Sequence, residues 1–128
     1  MGDRKYAIGL DFGTNSARAL VVRLDDGEAV AEAVAPYASG LDGVLLSDKE
    51  PDLARQSPAD LRNALRRILI ESVAAATEQD PGFDPSNVAG IGVDATASTP
   101  LPLDANGSPL ADDSRFARDL NAQAWLWK

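Results

Sequence analysis

A chain of 128 residues is long enough for one hydrophobic core and too short for two. Its composition, 45% apolar and 25% charged, is that of an ordinary soluble globular domain. Its net charge of −8 argues against nucleic acid or an anionic membrane as partner, because both are gripped by clustered Lys and Arg. With no Cys and no His, disulfides, thiolate chemistry, His–Cys zinc sites and Ser-His-Asp triads are excluded within the chain.

Met1 to Lys5 carries no apolar h-region, so no signal peptide is expected there. No apolar run reaches the ~20 residues that span a bilayer, and a cytoplasmic location is the default expectation. Tyr6 to Asp11 reads as a short strand, Phe12-Gly13-Thr14-Asn15 as a turn, and Ala17 to Leu24 as a second strand. Asp25-Asp26-Gly27-Glu28 is a tight turn leading to a third strand, Ala29 to Val34, which completes a β-meander. Pro36 to Gln56 has no clean periodicity and reads as a long loop with a short element near Val44-Leu45-Leu46.

Ser57-Pro58, with Asp60 three residues after Ser57, predicts a helix start of the capping-box kind. Leu61, Leu65, Ile68, Leu69 and Val73 form one apolar stripe of a helix that ends near Glu78, with Arg62, Arg66 and Arg67 on a solvated face. Asn87 to Asp94 predicts a buried strand. Thr99 to Leu103 predicts an edge or irregular strand, because Pro100 and Pro102 lack ladder donors. Asp104 to Gly107 is a turn. The apolar end, Ala124-Trp125-Leu126-Trp127-Lys128, reads either as a terminal helix docked on this core or as a point where the parent chain continues. The order β-β-β-α-β-β is that of a mixed α/β fold.

Two segments carry the candidate chemistry. In Gly9-Leu10-Asp11-Phe12-Gly13-Thr14-Asn15-Ser16-Ala17-Arg18 a strand ends in an acid and runs into a Gly turn rich in hydroxyl and amide groups. Such a turn can aim several N–H groups at one anion. Asp11 suits a magnesium ion, which takes carboxylate oxygen, and Thr14, Ser16 and Arg18 could meet phosphate oxygens. The plain alternative is a hairpin with Asp11 capping its own turn. The segment is not a Walker A loop, since it lacks the Lys and leads into a strand.

In Gly90-Ile91-Gly92-Val93-Asp94-Ala95-Thr96-Ala97-Ser98-Thr99-Pro100 a strand delivers Asp94 into small and hydroxyl residues. Ligands of α/β sheets gather at carboxyl ends of strands. Asp94, Thr96 and Ser98 could therefore bond the hydroxyls of a polyol, with room left by Ala97. The alternative is an ordinary strand end whose polar groups satisfy loop amides.

Taken in order, these motifs resemble the FGGY carbohydrate kinases of the actin-like ATPase group. Ile8 to Arg18 is similar to the family's first phosphate motif, and the meander, helix and strand follow in family order. The segment Gly90 to Pro100, Leu103-Asp104 and the ending Leu126-Trp127-Lys128 most resemble the L-ribulokinase branch. D-ribulokinase-like relatives and other sugar kinases of the family are the nearest alternative, and a non-enzymatic actin-like binding module is a third.

The resemblance implies an actin-like, ribonuclease H-like subdomain: a mixed sheet beginning as a meander, with a packed helix. It implies that residues 1–128 are the N-terminal part of the first of two lobes, truncated before the general base, which would lie beyond Lys128. It implies transfer of the ATP γ-phosphoryl group to a ketopentose, ribulose above all, with ATP and Mg²⁺ as cofactors. The implied phosphate-binding residues are Gly13, Thr14, Asn15, Ser16 and Arg18. Asp11 would hold the metal, and Asp94, Thr96, Ala97 and Ser98 would line the sugar site. The implied partners are sugar, ATP and the remainder of the kinase chain, with no nucleic acid and no membrane; homo-oligomerisation through Trp125 and Trp127 stays open.

Overall fold

Residues 4–96 and 98–126 are described in the computed structural model. Strands β1 (Tyr6–Phe12), β2 (Ser16–Arg23) and β3 (Ala29–Pro36) form the expected antiparallel meander. β2 and β3 each begin or end a residue or two from the sequence expectation, because backbone pairing carries on into the turns. Two short strands follow, β4 (Val44–Leu46) and β5 (Ala54–Gln56), then helix α1 (Pro58–Gln79) and strand β6 (Val88–Ala95). β6 lies parallel to β1, so the larger sheet has the order β3-β2-β1-β6. A final pair of residues, β7 (Ala124–Trp125), joins β4 and β5 in a small antiparallel sheet of order β4-β5-β7.

Alternation places Ile8, Leu10, Ala17, Ala19, Val21, Ala31, Ala33 and Ala35 on one face of the larger sheet, where α1 packs. The alanines let the helix come close to β2 and β3. The residues it buries fully are therefore themselves mostly small: Ala64, Ser72 and Ala76 around Ile68. The predicted stripe of Leu61, Leu65, Leu69 and Val73 flanks that line and is only partly buried. Ser57 is the N-cap, and its side chain accepts from the Asp60 N–H. The second half of the predicted capping box is replaced. The Asp60 carboxylate accepts from the Ser39 N–H and hydroxyl, both at 2.9 Å, and so ties the long loop to the helix start.

At the far end of α1 the buried Asp80 accepts from Tyr6 Oη and Arg23 Nη1, both at 3.0 Å, and from the Gly82 N–H. This one carboxylate joins β1, β2 and the helix C-terminus. Tyr6 also meets Phe83 edge-on, with ring centroids 4.9 Å apart.

Three expectations are corrected. β6 is not buried: Ala89 to Ala95 are all exposed, because β6 is the sheet's edge and α1 covers β2 and β3 instead. Thr99 to Leu103 forms no strand; Leu103 makes only an isolated bridge with Pro109. The chain end is not a helix, since Ala124–Trp125 pairs with β5, while Trp127 and Lys128 lie outside the described residues. Among the described residues no helix is long and apolar enough to cross a membrane.

Candidate functional site

Parallel pairing brings the carboxyl ends of β1 and β6 to the same edge of the molecule, the position where open α/β sheets present ligands. The ladder runs one residue past β6, where the Thr96 N–H donates to Phe12 O at 3.1 Å. Asp11 stands opposite Asp94 on β6 and opposite Arg18 on β2. All three side chains face away from α1 by strand alternation. The Arg18 guanidinium donates to Asp11 at 2.7 Å in an exposed pair, and Asp94 accepts from the Ala95 N–H at 3.0 Å. Gly9 and Gly92 sit side by side one step back along the strands, and a Cβ at either would meet nothing within 4 Å. The face in front of the two carboxylates is therefore open and shallow.

The turn between β1 and β2 is built with its carbonyls facing the protein. Gly13 N–H donates to Ser16 O at 2.9 Å and closes the turn. Gly13 O accepts from Tyr37 Oη at 3.1 Å and Gln56 Nε2 at 3.3 Å; Thr14 O accepts from the same Gln56 Nε2 at 3.0 Å. Asn15 O accepts from the Tyr37 N–H at 2.9 Å. Among the described residues the Thr14 and Asn15 N–H groups donate to nothing. Two adjacent N–H groups without a described protein partner are the donor pattern that an anion nest requires.

One N–H of the Asn15 carboxamide is taken up by Asp42 O, at 2.7 Å from Nδ2, which leaves one side-chain N–H of the two. Burial, with the nearby charges of Asp11 and Asp60, pushes the Tyr37 phenol up to about 12, so at neutral pH it remains a donor. Tyr37, Asp42 and Gln56 did not figure among the sequence-predicted residues; a Gln immediately before the helix cap was the one local signal.

The residues expected at a sugar site are not gathered on one surface. Asp94 is on the open face beside Asp11. Thr96 and Thr99 border a cavity of about 360 Å³ on the helix side, walled by Phe12, Leu61, Leu65 and Leu101. Ser98 is exposed and adopts φ 59°, a left-handed conformation unusual for a residue with a side chain. Strain of this kind clusters at functional loops. Ala97 lies outside the described residues. The cavity's mostly apolar walls suit packing better than a polyol, which needs hydrogen-bond partners.

Asp11 and Asp94 supply two carboxylates in register. Among the described residues no group of three or more acidic or other ligating side chains is present. This fits Mg²⁺, which is commonly held by one or two carboxylates plus substrate phosphates and water, and does not fit an all-protein metal cage.

No family model matches the chain. It is 40% identical to the ribulokinase of Shouchella clausii over 129 aligned positions, covering 98% of this chain and 22% of that protein. Against the ribulokinase of Mycolicibacterium smegmatis it is 40% identical over 132 positions, 99% of this chain and 23% of that one. The chain thus spans about a fifth of the length of the curated relatives it matches. Among solved structures it is similar to a xylulose kinase from Rhodospirillum rubrum, with a TM-score of 0.63 and 31% identity over 81% of this chain and 19% of the other. A gluconate kinase from Lactobacillus acidophilus, 20% identical with a TM-score of 0.61 over 82% of this chain and 18% of its own, shares the fold.

Proposed function

We propose, for a chain that is 40% identical to a ribulokinase over nearly its whole length and similar in fold to sugar kinases, that it is the N-terminal segment of an FGGY-type kinase. That kinase would move the γ-phosphoryl group of ATP to a hydroxyl of a ketopentose, ribulose first. The observation that carries this reading is the turn at Gly13 to Asn15. Its two N–H groups without a described protein partner follow β1 at the shared carboxyl end of β1 and β6, the end at which Asp11 and Asp94 stand in register. Phosphoryl transfer asks mainly for positioning and charge neutralisation, and these groups offer both.

In this reading the Thr14 and Asn15 N–H groups bind phosphate oxygens, with the Ser16 hydroxyl on the same side. Arg18 lends positive charge while orienting Asp11. Asp11, with Asp94 beside it, would hold Mg²⁺. The metal, when bound, neutralises charge on the phosphates. Thr96, Ala97 and Ser98 are the residues this reading assigns to the sugar hydroxyls. No acid of this segment is assigned as general base. The ATP, the sugar and the rest of the kinase chain are the partners of this reading, in the cytoplasm.

The test is ATP turnover by the full-length protein carrying this segment, with L-ribulose, D-ribulose, D-xylulose and glycerol as acceptors. Turnover is expected with L-ribulose above the others. Preference for D-ribulose or D-xylulose would keep the kinase and overturn the reading of Asp94 to Pro100. The absence of turnover on any sugar would favour a binding module.

A further inference from the structure

We infer that Gln56 is a positioning residue for the phosphate turn, acting through the two peptide planes that carry the free N–H groups; this rests on the kinase reading of the site. A trans peptide unit is planar, and its C=O and N–H point in opposite directions. The C=O of Gly13 and the N–H of Thr14 belong to one unit, and the C=O of Thr14 and the N–H of Asn15 to the next. A group that holds both carbonyls toward the protein therefore holds both N–H groups toward the ligand side.

Gln56 does this with one nitrogen, at 3.3 Å from Gly13 O and 3.0 Å from Thr14 O. Only the NH₂ end of the carboxamide can bond two carbonyl oxygens, so the chemistry fixes which way the amide points. Gln56 is 2% exposed. Such bonds are stronger out of water, and unmaking them leaves buried acceptors unpaired. Strand β5 and the Ser57 cap of α1 fix Gln56 from both sides in sequence. Tyr37 Oη provides a second donor to Gly13 O, at 3.1 Å. A neutral amide suits this place, since a Lys there would compete with the turn for the anion.

Released planes could rotate and turn a carbonyl oxygen toward the phosphates, which repel it. The loss should therefore fall on nucleotide binding and leave the sugar alone.

The experiment uses the full-length protein and its Gln56→Met, Gln56→Glu and Tyr37→Phe variants, with KM measured separately for MgATP and for the sugar, and MgATP binding measured by calorimetry. Gln56→Met keeps the length of the side chain and deletes the donors. It is expected to raise the KM and Kd for MgATP about tenfold, the size of one or two lost hydrogen bonds, with the sugar KM within about twofold. Gln56→Glu sets a carboxylate against two carbonyls and is expected to be worse. Tyr37→Phe, which leaves Gln56 in place, is expected to raise the KM for MgATP by about threefold; it carries the test if the Gln56 variants fail to fold. A role in stability alone would lower the active fraction and leave both KM values unchanged. MgATP parameters at wild-type values in the folded variants, or equal shifts for sugar and nucleotide, would overturn the inference. A wild-type protein that binds no MgATP would instead overturn the kinase reading, and the inference with it.

Discussion

Asp80 does at residue scale what no single apolar contact does, because its carboxylate fixes β1, β2 and the end of α1 to one another. The Gly82 N–H, then the Tyr6 hydroxyl and the Arg23 guanidinium, hold its carboxyl below the ordinary carboxylate range. A depressed folded pKa contributes stability at pH values above the unfolded pKa of about 3.9 and loses it as pH falls through the lower folded value. Asp80→Asn should therefore lower the unfolding temperature of this 128-residue chain at pH 7, by about 5 to 10 °C. The gap to wild type should narrow as the pH is taken from 5 toward 2. Thermal melts across that range check it, and a gap of constant size would show that the charge of Asp80 is not what holds the three elements.

At the scale of elements, local chemistry was legible. The meander follows from alternation and two Gly turns, and the helix from its Ser57-Pro58 start and its apolar spacing. What the sequence hid is what long-range contacts decide. The Gly13 to Asn15 turn is supported from Tyr37 and Gln56, 24 and 42 or 43 residues away, and beyond the place of Gln56 just before the helix cap no local pattern announces them. The Gly-rich apolar run of β6 read as buried, yet burial depends on which strand lies next to it and where the helix falls. The loop from Pro36 to Gly43 looked featureless and is in fact a clamp: Tyr37 and Asp42 both hold the turn.

Gly43 makes that clamp possible. It has φ 84°, and a Cβ there would stand 2.5 Å from Tyr37 Cβ and 2.9 Å from its ring. Gly43→Ala is expected to cost about 1 to 3 kcal/mol of folding stability and to push Tyr37 off Gly13 O. Urea unfolding measures the first effect. Unchanged stability would mean that the loop adapts and does not brace the turn.

Over the whole molecule, α1 covers β2 and β3 on one sheet face and the opposite face is open, with the candidate phosphate turn and two carboxylates at its upper edge. Ile91 and Val93, 54% and 68% exposed on β6, stand in register with Ile8 and Leu10 on the α1 side of the sheet, at an edge strand that the described residues leave uncovered. The relatives are between four and five times as long as the stretch matched here. Arg55, lying 4.1 Å over the Trp125 ring and donating to Leu120 O, ties the last strand to β5. Ala124 pairs directly with Gln56 in the same small sheet.

The most direct measurement is transfer of labelled γ-phosphate from ATP to L-ribulose by the full-length protein and by its Asp11→Ala variant, with sugar binding measured alongside. The expected result is labelled sugar phosphate from the wild type, turnover lowered by about a hundredfold or more in the variant, and sugar affinity within about twofold. Equal turnover in the two proteins, or ATP consumption with no label reaching the sugar, would contradict the assignment of Asp11 and its turn to phosphoryl transfer.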